Sequence, residues 1–292
     1  MKRQWIKEHP QFPVSVMCEQ LGVSRSGFYA TKTKIPSVRK TELSRLKLAE
    51  PIRRIHAESD RTYGSPRVTR ELKKLGVRVS ENTVAKCMKE HGIRVAKADS
   101  YVPRTTQSDP SLKASPNLLD RNFEATKMNE KWCSDITYVD TDEGWLYLAT
   151  IKDLFSKRIV GWAMAGHMKA ELTMGALMMA IKQRGNVEGV IHHSDRGKQY
   201  ACGEYRALLE EQGIRQSMGA VGDCYDNAPA ESFFASLKKE LVNRRRFVTR
   251  EQARHAIFEY IEVFYNRKRL HSALDYVSPV QFEARELVTH CP

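Results

Sequence analysis

Over residues 131–240 the spacing of apolar residues switches between two periods in a set order, and that order restricts the available folds more than any other feature of the chain. KWCSDITYVD alternates, with Cys133, Asp135, Thr137 and Val139 on one face and Trp132, Ser134, Ile136 and Tyr138 on the other. Residues 142–144 read as a turn, and GWLYLATIKD returns as a second strand. A turn over 155–158 leads to a third, RIVGWAMAG, so the first three strands form an antiparallel meander. AELTMGALMMAIKQR is a helix stopped by Gly185. VEGVIHHSD, ACGEYRALLEEQG and IRQSM follow as strand, helix and strand, and a Gly-containing loop leads to a last helix starting near Pro229. The fold class is α/β, with a mixed five-stranded sheet and helices.

The order β-β-β-α-β-α-β-α is that of a ribonuclease-H-like core, expected over 121–242. Three acids occupy it. A buried Asp within a strand is costly unless paired or metal-bound, which draws attention to Asp135. Asp195 ends the fourth strand, where open α/β sheets place ligands. Glu231 stands near the start of the last helix, with 35 residues between it and Asp195. Lys238, two turns further on, shares its face and is placed to hold a phosphate. Taken singly, Asp135 is a strand-end cap, Asp195 a turn former before Arg196-Gly197, and Glu231 a first-turn acid favoured by the helix dipole. Taken together on neighbouring elements, three carboxylates supply the oxygen ligands that Mg²⁺ prefers. Asp153 ends a strand; Asp140, Asp142 and Glu143 read as turn residues; Asp223 and Asp226 order the loop before Glu231. His192 and His193 point to opposite faces, and none of the six cysteines forms a C-x-x-C pair, so a zinc site is not expected.

Charge is distributed unevenly. The chain carries +13 overall, and residues 1–120 hold half of the 48 Lys and Arg but only 12 of the 35 acids. A basic N-terminal part fits phosphate binding; a merely solvated basic surface is the plainer alternative. VSVMCEQLGVSRSGFYAT reads as two short helices about Gly22, with Ser24 capping the second and Arg25 and Ser26 at its start, where such helices touch bases or phosphates. A generic helical hairpin fits the same pattern. A second helical unit follows, with Ile52 and Ile55 inward, Ser65 and Ser80 as caps, and Arg67 and Arg70 on an outer basic face. The expected units are 1–45, helix-turn-helix-like; 46–97, a second helical DNA-binding unit; 98–120, a Ser/Thr/Pro-rich linker; the core; and 243–292, a helical extension with Thr249 as cap and Arg267 and Arg269 near phosphate. Scattered cysteines fit a reduced cytosolic compartment, the N-terminus has no apolar signal core, and no apolar run is long enough to span a membrane.

WCSDITYV, IKDLFSKRIVGW, HHSDRGKQY, GDCYDNAPAESFFASLKKEL and YNRKRLHSALDYVSPVQFE resemble motifs of the second-reading-frame transposase of the insertion-sequence-three family, whose core is similar to retroviral integrase. LGVSRSGFY and TYGSPRV…GVRVSENTVAKCM resemble its preceding helical region, so the likeness covers nearly the whole chain. The resemblance implies a DDE-type polynucleotidyl transferase, with Asp135, Asp195 and Glu231 as catalytic metal ligands and Lys238 on DNA. It implies two Mg²⁺, replaceable by Mn²⁺, which activate a water and stabilise the leaving oxygen. The implied partners are insertion-sequence ends and target DNA, further copies of the chain (at least a dimer), and an upstream-frame helix-turn-helix protein. A nucleoid-associated bacterial location follows. Arg196 and Lys198 join the expected DNA contacts, although Lys198 stands where a small polar residue is commoner. The competing functions are a DNA-binding repressor or assembly factor with a silent core, and a nuclease that cuts without joining.

Overall fold

The structure is a computed structural model that describes residues 2–32, 40–95, 115–219 and 227–289. Three short helices open the chain: α1 (Lys2–Glu8), α2 (Val14–Gln20) and α3 (Arg25–Lys32). α1 was not anticipated; its Ile6 closes a small core with Met17, Cys18 and Phe28. Ser24 Oγ accepts the backbone N–H of Gly27 at 3.1 Å, as its capping position requires.

The second helical unit contains α4 (Lys40–Glu58), α5 (Ser65–Lys74) and α6 (Glu81–Glu90). α4 runs continuously through the boundary expected at 45/46. Ser65 is the first residue of α5 rather than its cap, a place taken by Gly64; Ser80 caps α6 through the Thr83 N–H at 3.2 Å. Ile52, Val68, Leu72, Val84 and Cys87 are fully buried, and Leu270 from the far end of the chain joins them. The Tyr63 hydroxyl donates to Lys268 O (3.2 Å) and accepts from Leu270 N–H (2.9 Å), while Arg67 Nε donates to Leu270 O (2.9 Å). The unit is therefore docked on the C-terminal extension. The last residues of the expected linker also pack, because Leu119 is apolar and 2% exposed and Leu118 N–H donates to Ser217 Oγ.

The core sheet has the order β3-β2-β1-β4-β5. β1 (Lys131–Val139), β2 (Leu146–Asp153) and β3 (Ile159–Ala165) form the antiparallel meander. β4 (Ile191–Ser194) and β5 (Arg215–Met218) add parallel to β1, which makes β1 the central strand. One face is covered by α7 (Ala170–Arg184), α8 (Lys198–Ala201) and α9 (Gly203–Glu211), over Trp132, Ile136, Ala149 and Ile151. Gly161 permits this approach, since a Cβ there would lie 2.2 Å from Ala176 O on α7. The other face buries Val139, Leu146 and Leu148 against α10 (Ala228–Glu240) and α11 (Arg250–Phe258). Phe233, Leu237, Ile257 and Ile261 lie at 0–1% exposure there, each worth about 1.5–3 kcal/mol of apolar burial. Thr249 caps α11 through Gln252 N–H, and the helix continues as a π-helix over Glu259–Tyr265. α12 (Pro279–Thr289) closes the chain, its Glu283 bonded to Arg158 and Arg184. Among the described residues no helix is long and apolar enough to cross a membrane.

Candidate functional site

β1 and β4 pair in parallel with Cys133 opposite His193, so the end of β4, with Asp195 just after it, lies beside the half of β1 that carries Asp135. Asp135 is half-buried and accepts its neighbour Ile136 N–H at 2.8 Å. Asp195 follows the end of β4 and accepts Gly197 N–H at 3.0 Å. A Cβ at Gly197 would meet Gln199 Nε2 at 2.7 Å and Asp195 Oδ1 at 3.0 Å, so a larger residue would displace these side chains.

The third acid arrives on α10, whose first turn is fastened to the sheet beside Asp135. Buried Asn227 accepts the Cys133 thiol at 2.6 Å and donates to Ser134 O at 3.3 Å. Lys152, on β2 and 6% exposed, donates to Pro229 O at 2.9 Å. Phe233 and Leu237 hold the helix down on its apolar side, which leaves Glu231 exposed in the first turn. Lys238 lies half-buried on the same face, its Nζ 5.1 Å from the centre of the Tyr138 ring.

The charges of these residues act on one another. Burial holds the Asp135 carboxyl well above the usual carboxylate range; Asp195 and, more weakly, Glu231 push it further, while Ile136 N–H and Lys238 pull it back. Burial also raises Glu231 and lowers Lys238, with Asp135 opposing the latter shift. Asp135, Asp195, Glu231 and Lys238 thus form one electrostatic unit. Among the described residues, no three His, Cys, Asp or Glu side chains stand close enough to clasp an ion as they lie. Residues 220–226, with Asp223 and Asp226, fall outside the described residues.

The competing acids have structural work. Asp153 is fully buried, accepts N–H groups of Asn129, Phe155 and Ser156, and lies 3.6 Å from Arg184. Asp142 pairs with Arg246 and Glu143 accepts Arg250 N–H. His192 and His193 are buried on opposite sides, bonded to Tyr205 and Ser217, and burial pushes His192 down to about 3.

The expected DNA contacts are scattered. Arg25, Ser26, Lys198 and Arg267 are exposed. Arg70 is exposed over the Tyr276 ring and 3.8 Å from Asp275; Arg196 is half-buried and donates to Gly219 O. Arg67 is half-buried and turned to Leu270 O and, at 3.7 Å, to Glu240. Arg269 departs from the expectation of a phosphate contact. It is 6% exposed and donates twice to buried Glu240, at 2.8 and 2.6 Å, because a buried carboxylate needs a buried cation. Asn227, Lys152 and Glu240 were missed by sequence reasoning. Lys152 alone left a trace, as a charge inside the apolar run of β2.

Three regions match known family models: residues 125–224 and 231–287 match integrase core domains, and residues 43–98 match an HTH-like domain. With the ribonuclease-H-like sheet, these define a DDE-type polynucleotidyl transferase of the transposase and integrase class. The chain is 40% identical over 288 residues to the transposase InsF for insertion sequence IS3A of Escherichia coli (strain K12), covering 98% of this chain and 100% of that one. It is 44% identical over 269 residues to the insertion element IS600 uncharacterized 31 kDa protein of Shigella sonnei, covering 92% and 98%. The chain belongs to the insertion-sequence-three family of transposases. Among solved structures it is similar to the HTLV-2 integrase catalytic core domain in complex with magnesium (trimeric form), at 15% identity and a TM-score of 0.43, over 55% of this chain and 99% of that one.

Proposed function

We propose that Asp135, Asp195 and Glu231 hold Mg²⁺, with Mn²⁺ as a substitute, and that the chain cuts the ends of an insertion sequence and transfers the freed 3′-hydroxyl to target DNA. The observation that carries this reading is the crowding of carboxylates about Asp135, whose own ionisation burial and Asp195 oppose. The donor set fits a hard cation: it is all oxygen, it sits at the sheet's central edge, and a divalent ion relieves its repulsion. Mg²⁺ held by these three carboxylates would supply Lewis acidity to the attacking and leaving oxygens of a phosphodiester.

The protein's own groups orient the reactants. Asn227 and Lys152 fix the first turn of α10 and so the place of Glu231. Gly197 fixes Asp195. Lys238 holds the phosphate beside the reacting one, its charge drawn toward Asp135. A water attacks first and frees a 3′-hydroxyl, which the same carboxylates then face toward a target phosphodiester. No side chain acts as nucleophile, and no ATP is consumed, since strand transfer conserves the number of phosphodiester bonds.

The helical region before residue 98 binds the element ends, with Arg25, Ser26 and Arg70 outward; Lys198, Arg196 and Arg267 contact DNA near the core. Pairing two ends calls for at least a dimer, and an upstream-frame helix-turn-helix protein is a further partner. The test uses purified chain, element-end DNA and Mg²⁺ or Mn²⁺. Joined product that disappears in Glu231→Gln is the expected result. Cutting without joining points instead to a nuclease, and binding without cutting under either metal to a repressor.

A further inference from the structure

A second charged feature lies behind the first turn of α10. A cleft of about 490 Å³ opens between that turn, β2 and the C-terminal extension, walled by Arg67, Lys152, Lys157, Arg269 and His271. Among the described residues no carboxylate lines it; the nearest acids are spent behind the wall, Glu240 on Arg269 and Asp153 on the turn that carries Lys157. Such a concentration of basic groups is unfavourable without an anion, and the strain is visible. Burial, then Lys157, brings Lys152 down to about 8. Burial, then Arg269, Lys152 and Arg67, takes His271 down to about 2, against a hydrogen bond to the Tyr265 backbone.

An independent observation points to a ligand. His271 is 8% exposed, its ring meets the edge of Tyr265 at 4.7 Å, and its buried Nε2 has no hydrogen-bond partner. Buried polar atoms are almost always bonded, so an orphaned imidazole nitrogen in the wall of a cation-lined cleft marks a missing partner. The thirteen-residue α10 presents its N-terminal end there through Ala228 and Pro229, which adds a positive dipole end.

We propose that this cleft binds a backbone phosphate of the DNA strand that passes Glu231, contacted by Lys157, Lys152 and His271 Nε2. The identity of the strand rests on the transposase reading; the anion site rests on the cleft. Its volume is that of a small-ligand site, ample for a single phosphate group. An anion there offsets the field of Arg269, Lys152 and Arg67, so that Nε2 takes a proton from water and donates to the phosphate oxygen.

The test uses the full chain labelled with ¹⁵N at histidine, titrated with a short single-stranded oligothymidylate and separately with inorganic phosphate. The His271 Nε2 resonance is expected to move on oligonucleotide binding. Ser272→Glu, at an exposed position of the rim, and Lys157→Gln are each expected to weaken that binding about tenfold, while Ser272→Gln retains it. Matched thermal unfolding of the three variants separates loss of charge from loss of fold. A His271 resonance that stays still at saturating oligonucleotide overturns the proposal, as does unchanged affinity in Ser272→Glu; a shift with inorganic phosphate as well is expected of an anion site and is weaker than that with the oligonucleotide. If the chain joins element-end DNA while His271 stays silent, the cleft proposal alone falls. If element-end DNA is neither bound nor joined, the strand-transfer reading falls, whatever His271 does.

Discussion

Glu231 and Glu240 stand at opposite ends of α10, and their surroundings differ completely. Glu240 is 8% exposed and saturated: Arg269 donates to it twice, the Tyr260 hydroxyl donates at 2.8 Å, and Arg67 lies 3.7 Å away. It joins the helix to the C-terminal extension and, through Arg67, to the second helical unit. Glu231 is exposed, and its charge reaches Asp135. One helix thus carries an acid neutralised by the fold and an acid without such a counter-ion whose charge reaches Asp135. The first secures the helix; the second is the one that, on the function proposed above, a divalent cation would complete. Anchors on the apolar side and at Asn227 and Lys152 keep the second in place despite repulsion.

Substitutions at the two ends break this contrast in different currencies. Glu231→Gln is expected to lower strand transfer by on the order of 10³-fold with little change in unfolding free energy. Glu240→Ala does the reverse first: it strands Arg269 in the interior and costs about 3–5 kcal/mol, measurable as a lower urea midpoint. Activity then falls only as far as the folded fraction does. An Asn227→Ala chain, in which Glu231 is intact but its turn is loosened, should lose about 10–100-fold in activity, partly regained at high Mn²⁺.

The smallest effect concerns pH. The folded-state Asp135 carboxyl lies above its unfolded value, so its ionisation costs stability as pH rises through that interval, and the cost is absent below it. Without divalent ions, Asp135→Asn is therefore expected to raise the melting temperature by a few degrees near neutral pH, and acidification should narrow the difference. A melting temperature that falls in the variant, at any pH above the unfolded carboxylate range, would show that Asp135 is not under repulsion.

Much of the sheet was legible because its signals are local. Alternation in KWCSDITYVD, the turn residues before GWLYLATIKD and the Gly185 stop each fix an element within a few residues. The placement of Asp135 on one strand and Asp195 at the end of its neighbour followed from that order. What stayed hidden depends on long-range packing. Asn227 meets Cys133 across 94 positions, and Arg269 meets Glu240 across 29. Arg269 reads as one more exposed base in NRKRLH, and its partner Glu240 lies on α10. α1 escaped notice because a seven-residue helix with a single buried side chain has almost no period to read.

The central claim is that Asp135, Asp195 and Glu231 serve one cation site although they come from a strand, a strand end and a helix. Mn²⁺ binding to the full chain, followed by electron paramagnetic resonance in Asp135→Asn, Asp195→Asn and Glu231→Gln, tests it directly. Each single substitution is expected to weaken binding at least about tenfold, with a pair no worse than its stronger member by more than a small factor. Wild-type Mn²⁺ affinity in any one of the three would contradict a shared site.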